Sequence, residues 1–266
     1  MADLIKNRTE TPRQHSILAS FLLHLVPGIL ILAGIFLFSQ PFVVSRFRVD
    51  TRLAPLFGYL LAILFVLIPV QLGILLYVGT KLSGRFSLKG AIGYLNRSSL
   101  KQYLILIPLL LVINVVLFVV FAPIIQPFIV GTLFSWYPQE YNFQVLMQGV
   151  MQDPASISGY RLIRVLALAY LLLSCLLGPF VEELYFRGYL LPRMQKYAKK
   201  WAPLINTVLF SVYHLFSPWE NFIRIVGTFP VIYTVWRRKD IRFSIATHVT
   251  LNSVGGIVVL LAVLRW

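Results

Sequence analysis

The sequence of 266 residues holds one cysteine, four histidines and nine carboxylates, and only 12% of its residues are charged. A lone Cys175 cannot close an intrachain disulfide, which excludes a cystine-stapled scaffold, and it cannot supply a Cys-based zinc cluster. Several hydrolase plans lack their residues. There is no His-Glu-x-x-His, no Gly-x-Ser-x-Gly elbow and no phosphate-binding glycine loop. No aspartate falls inside an apolar run, which removes a buried aspartyl dyad. No internal repeat, low-complexity tract or separate polar domain is visible.

What is present is apolar surface. Hydrophobic residues make up 58% of the chain and the mean hydropathy is +0.80. An ordinary soluble domain is about 45–50% apolar and about 25% charged. A soluble fold of this size cannot hide so much apolar surface. The balance excludes a soluble globular enzyme, a disordered chain and a fibrous protein. It predicts an all-α, polytopic helical membrane protein of about seven to eight transmembrane helices. Seven apolar stretches run roughly over 16–39, 55–79, 102–126, 162–182, 202–217, 222–236 and 244–264. The fifth and sixth are short. The segment 127–150 is aromatic, lacks Lys and Arg, and is expected on or dipping into the outer interface, with Trp136, Tyr137 and Tyr141 forming a belt. The first run is too long for a signal-peptide core and is expected as an uncleaved span.

Lys and Arg number 24 and give a net charge of +15. They lie in short clusters between apolar runs rather than on one solvated face, so nucleic acid is not the expected partner. The N-terminus, the second loop (Lys81 to Lys101), the fourth (Arg187 to Lys200) and the sixth (Arg237 to Arg242) together carry seventeen basic residues. The remaining segments carry seven. That bias places the first group, with the N-terminus, on the cytoplasmic side of what is expected to be a prokaryotic cell membrane. An odd span count then leaves Trp266 outside. Membrane lipids are the first expected partner, with anionic headgroups at the second loop. The sequons at Asn7 and Asn96 fall on the cytoplasmic side and carry no weight.

Seven of the nine acids lie in loops or at span edges; Glu182 and Glu183 are embedded in apolar sequence. A carboxylate there costs about 2.5–3.5 kcal/mol on insertion scales, so it marks function by default. Arg187 follows Glu183 by four residues, and that spacing puts the two on one helix face. Glu182 points about 100° away. Glu183 is then held by Arg187, while Glu182 faces a cavity. An ion-pair cluster that merely pins helices does not explain the second carboxylate. His214 lies 16 residues beyond the basic turn at Ala198, and Glu182 lies 16 before it. Helices running into and out of that turn bring the two to one depth. A carboxylate and an imidazole on one water are the minimum for general-base hydrolysis. His248 and Asn252 share a helix face, either as a packing contact or as part of the site. Their depth agrees with His214 only if the Trp201 helix starts above the membrane or the last helix is broken. Gln71 and Asn114 read as interhelical hydrogen bonds, and His24 as a packed histidine near a polar neighbour.

The ordered set Glu182-Glu183-x-x-x-Arg187, Phe210-x-x-x-His214 and His248-x-x-x-Asn252 resembles the CAAX protease and bacteriocin-processing (CPBP, or Abi) family, which includes the type II CAAX prenyl endopeptidases. Gly188 after the arginine fits too. The resemblance covers about residues 162–262. It divides the chain into N-terminal helices, 1–160, and a catalytic helical core, 161–266, within one membrane domain. It implies a conical intramembrane cavity and an endopeptidase acting on a peptide or protein that is prenylated or membrane-anchored. It places Glu182 and His214 at the activated water, with Glu183 and Arg187 in support. His248 and Asn252 then bind metal or stabilise the oxyanion. A metalloprotease reading uses Glu182, His214 and His248 as Zn2+ ligands; a metal-free, glutamate-activated water uses the same atoms. The competing reading is a non-catalytic immunity or scaffold protein on the same fold. A proton-coupled transporter lacks the repeat relating two halves.

Overall fold

The computed structural model describes residues 13–137 and 160–265. Eight helices carry the argument: α1 (Ile17–Phe38), α2 (Pro41–Arg46), α3 (Thr51–Ser83), α4 (Leu100–Leu133), α5 (Arg161–Arg193), α6 (Ala202–Tyr213), α7 (Asn221–Arg238) and α8 (Arg242–Leu264). No strand occurs among the described residues, where Leu95 and Asp240 form an isolated bridge. The chain is an all-α, multi-pass membrane protein. Among the described residues, α1, α3, α4, α5 and α8 are long and apolar enough to cross a membrane. The two short runs of the sequence reading differ from these. At 1.5 Å per residue the 12-residue α6 is about 18 Å long, short of the roughly 30 Å hydrocarbon core. It is an inner helix, burying Asn206, Thr207, Phe210, Ser211 and Tyr213. The expected interfacial segment begins differently: α4 continues to Leu133, and residues 138–150, with Tyr141, lie outside the described residues, as does Trp266.

Sequence chemistry sets the helix ends. Ser16 accepts the Ala19 N–H and opens α1, and Ser99 with Gln102 forms a reciprocal capping box before α4. Gly84 at φ +73° closes α3 in the left-handed region. The long helices widen to π turns at Ile63–Leu67, Leu117–Phe121, Tyr170–Leu177 and Glu183–Leu190. Each widened turn ends two residues before a proline: Pro69, Pro123, Pro179 and Pro192. A proline ring cannot donate a hydrogen bond and collides with the carbonyl four residues back. Widening the preceding turn relieves that collision and lets the helix continue.

The apolar core stacks in three layers along α5. One end holds Leu53, Leu56, Ile163, Leu166 and Val263. The middle holds Ile31, Ile63, Val181, Phe186, Phe210 and Tyr213. The other end holds Leu191, Met194, Ala202, Ile232 and Phe243. The four basic segments grouped by the charge count meet at this last end. His15 N–H donates to Arg193 O at 2.8 Å, and Arg193 donates to Ala91 O, Tyr189 O and Gly90 O at 2.8–3.0 Å. Asp240, fully buried, accepts from Tyr103 OH at 2.6 Å and Ser98 N–H at 2.9 Å. Burial works to raise the Asp240 carboxyl, but these bonds and the Arg242 N–H outweigh it and hold it below the usual range. Among the described residues, two of the seventeen are buried inside the bundle. Arg187 and Arg193 belong to α5, 2% and 3% exposed, because an ion pair and three carbonyls replace their water. Without them the bias is fifteen to seven and keeps its direction.

Candidate active site

Glu182 and Glu183 sit where α5 passes from its α-helical turn Gly178–Glu182 into the widened turn Glu183–Leu190. Both are buried, 6% and 1% exposed, so each needs protein partners. The helix aims them at different ones. Glu183 Oε1 lies 3.3 Å from Arg187 Nη1 and 2.8 Å from His248 Nδ1. Glu182 Oε1 accepts from Tyr213 OH at 3.1 Å and lies 3.9 Å from His214 Nε2. Two adjacent carboxylates thus serve two histidines from two helices, α6 and α8.

Phe210 joins the two halves. The Arg187 guanidinium stacks over its ring at 3.8 Å, a cation–π contact made in a dry site. The His214 ring meets it edge-on at 4.8 Å and the His248 ring at 6.0 Å. Its backbone carbonyl faces His214 Nδ1 at 2.8 Å. A carbonyl only accepts, so Nδ1 carries the hydrogen, and the neutral ring turns the lone pair of Nε2 toward Glu182. The spacing of phenylalanine and histidine in the second motif therefore has a mechanical meaning: the first residue sets the ring and tautomer of the second.

His214 terminates α6, and its position depends on the turn that follows. Leu215 N–H donates to Tyr213 O and Ser217 N–H to His214 O. Arg224 of α7, 8% exposed, donates to Asn221 Oδ1 at 2.9 Å and Ser217 Oγ at 2.7 Å and pairs with Glu220. The turn is clipped to α7 before it leaves the site.

Five of the six residues singled out from the sequence come together as a pair, Glu182 with His214, and a trio, Glu183 with Arg187 and His248. Asn252 is half-buried one turn beyond His248, and no hydrogen bond joins its side chain to the other five. The depth question is answered by α8, which is unbroken from Arg242 to Leu264. His248 lies level with Phe210, a turn before His214, and reaches Glu183. For zinc, the donors Glu182, His214 and His248 do not form a trio here. No group of three His, Cys, Asp or Glu able to hold a metal occurs among the described residues, and Glu183 engages His248 Nδ1. Sequence reasoning missed Tyr213. Its only signal was a phenol beside His214, one of 13 tyrosines.

Other polar residues sort as follows. His24 is fixed between Ser20 O and Asn206 Nδ2, the polar neighbour expected for it. Gln71 donates to Tyr213 OH across helices at 2.9 Å. Asn114 differs from expectation. Its Nδ2 donates within α4 to Leu110 O at 2.8 Å, the usual refuge of a polar side chain inside a helix.

Residues 164–254 match the family described as type II CAAX prenyl endopeptidase Rce1-like. No curated protein and no solved structure matches the chain. The matched stretch runs from α5 into α8, about a third of the chain, and contains all six candidate residues together with the three motifs that resemble this family.

Proposed function

We propose that the protein is a membrane-embedded endopeptidase in which Glu182 is the general base and His214 orients its water. One observation carries this reading: Glu182 Oε1 and His214 Nε2 face each other at 3.9 Å with the Nε2 lone pair pointing inward. Two acceptors at that distance do not bond each other, and a water donating one O–H to each bridges them. The water oxygen then has a lone pair for a peptide carbonyl. Attack forms the C–O bond, passes the water proton to Glu182 and places negative charge on the carbonyl oxygen. As the C–N bond breaks, Glu182 returns the proton to the leaving amine; the products are a carboxylic acid and an amine, which become carboxylate and ammonium when the acid proton passes to the amine.

The second carboxylate has a different role. Glu183, balanced by Arg187, accepts the Nδ1–H of His248; a His248 that carries a second hydrogen on Nε2 donates it to the developing oxyanion. Asn252, on the same face, adds an amide donor. Such donors contribute about 3–4 kcal/mol. The substrate is a peptide or protein at the membrane, prenylated or lipid-anchored, and the basic end of the bundle faces the cytoplasm.

The test is cleavage of a farnesylated CAAX peptide and its unmodified counterpart by the purified full chain in detergent, with metal content determined on the same samples. Glu182→Gln is expected to abolish cleavage, because an amide takes no proton from water. Full cleavage by a well-folded Glu182→Gln protein removes the assignment. Stoichiometric zinc that is lost with Glu182→Gln replaces it by metal-activated water.

A further inference from the structure

The hydrogen-bond chain behind Glu182 leaves the family segment. Gln71, on α3, is fully buried, and its Nε2 donates to Tyr213 OH at 2.9 Å. Tyr213 OH, also fully buried, donates to Glu182 Oε1 at 3.1 Å. The direction of the chain follows from its members. An ionised Glu182 only accepts, and a phenol has one hydrogen to give. If Gln71 turned its amide oxygen toward the phenol, Tyr213 would face two acceptors with one proton. With Nε2 in that place both bonds form. The orientation strands the other end of the amide, since Gln71 Oε1 is buried without a hydrogen-bond partner among the described residues. An unsatisfied buried acceptor is destabilising, and a residue kept only for packing would be apolar.

We propose that Gln71 and Tyr213 are positioning residues for Glu182. The terminal torsion of a glutamate is broad and poorly fixed by its own rotamers. The Tyr213 O–H holds Oε1 and so fixes the carboxylate plane, keeping its remaining lone pairs toward His214. Gln71 commits the phenol proton to that bond. The phenol ring is itself immobile, packed against Phe186 at 4.8 Å and stacked with Phe210 at 6.2 Å. The N-terminal helices, outside the matched 164–254 segment, thus supply part of the proteolytic apparatus. This rests on the reading of Glu182 as the base.

The experiment compares Tyr213→Phe, Gln71→Met and the double variant with wild type in the full-length purified protein. With the farnesylated peptide, each single variant is expected to lower kcat about tenfold, the worth of one hydrogen bond to a charged group, with KM unchanged. The double variant is expected to match Tyr213→Phe, because both changes remove one restraint. Thermal stability of Gln71→Met is expected not to fall, since it deletes an unpaired buried acceptor. Wild-type kcat in Tyr213→Phe, multiplicative effects in the double variant, or lost activity that tracks lost stability in Gln71→Met each overturn the proposal. A readout independent of cleavage separates it from the protease reading. The Glu182 carboxylate stretch, isolated as the infrared difference between wild type and Glu182→Gln, is expected to shift in both single variants. An unshifted band refutes the restraint whatever the enzyme cleaves, whereas cleavage by Glu182→Gln refutes the base and leaves the band shift in place.

Discussion

Gly28, in the first helix, offers a way to disturb the site through the backbone that carries it. α1 crosses α6 so closely that a Cβ at position 28 would overlap the Tyr213 carbonyl oxygen and lie 3.0 Å from Tyr213 Cδ2 and 3.1 Å from its carbonyl carbon. Carbon pairs sit best at about 3.5–4.0 Å. Gly28→Ala therefore forces α1 and the end of α6 apart by about 0.5–1 Å. That carbonyl accepts Leu215 N–H in the turn that carries His214, so the displacement is passed to the imidazole. A misplacement of about 1 Å at a reacting group costs about a hundredfold in rate. The accompanying overpacking destabilises the fold by about 1–3 kcal/mol, leaving the protein folded. The assay is kcat for peptide cleavage beside a thermal melt of the same sample. Gly73→Ala is the control, since none of the described residues lies within 4 Å of its added Cβ. Gly28→Ala with wild-type kcat would show that α6 does not transmit this contact to His214 and would refute the reasoning.

Glu183→Gln should act on folding as much as on rate. It leaves the Arg187 guanidinium unpaired in a dry site, which is destabilising by about 3–5 kcal/mol. Expression yield and melting temperature should both fall, and Glu183→Gln with Arg187→Met should recover part of the loss; an unchanged melt would mean that the pair does not stabilise the fold. His15 predicts a pH dependence at the basic end. Burial, then the nearby Arg193, lower its imidazole from 6.5 to about 4. The unfolded chain then binds the proton more readily, so the stability His15 contributes is present above about pH 6.5 and is lost as pH falls toward 4. Melts of wild type should weaken over that window more than melts of His15→Phe, and parallel curves would contradict the assignment.

The membrane class was legible because hydrocarbon imposes a length on apolar runs. Helix ends were not, because hydropathy reports where lipid ends and hydrogen bonding continues past it. α3 runs from Thr51 to Ser83 where the apolar stretch suggested 55–79, and α5 reaches Arg193 rather than stopping at Glu182. The partnership of Glu183 with Arg187 could be read from a spacing of four, and the meeting of Glu182 with His214 from equal distances to one turn. No such rule pairs His248 with Glu183, 65 residues away, or Gln71 with Tyr213, 142 residues away. Those contacts come from tertiary packing. Gln71 could be read from its apolar run as an interhelical hydrogen-bonding residue, but its partner could not.

The adjacency of the two glutamates also acquires a physical sense. Side by side in a low-dielectric site, two carboxylates repel, and each disfavours ionisation of the other. Arg187 lies one turn along and pairs with Glu183 rather than Glu182. The helix then continues through its widened turn toward Pro192. Arg187 is spent on the carboxylate that orients His248. Glu182 is left with hydrogen-bond partners that carry no charge, Tyr213 directly and Gln71 behind it. A carboxylate neutralised by a guanidinium is a poor base, and one restrained by a neutral phenol keeps its affinity for a proton. In the proposed reaction, one helix turn therefore divides two identical side chains into a base and a support by deciding which of them receives the arginine.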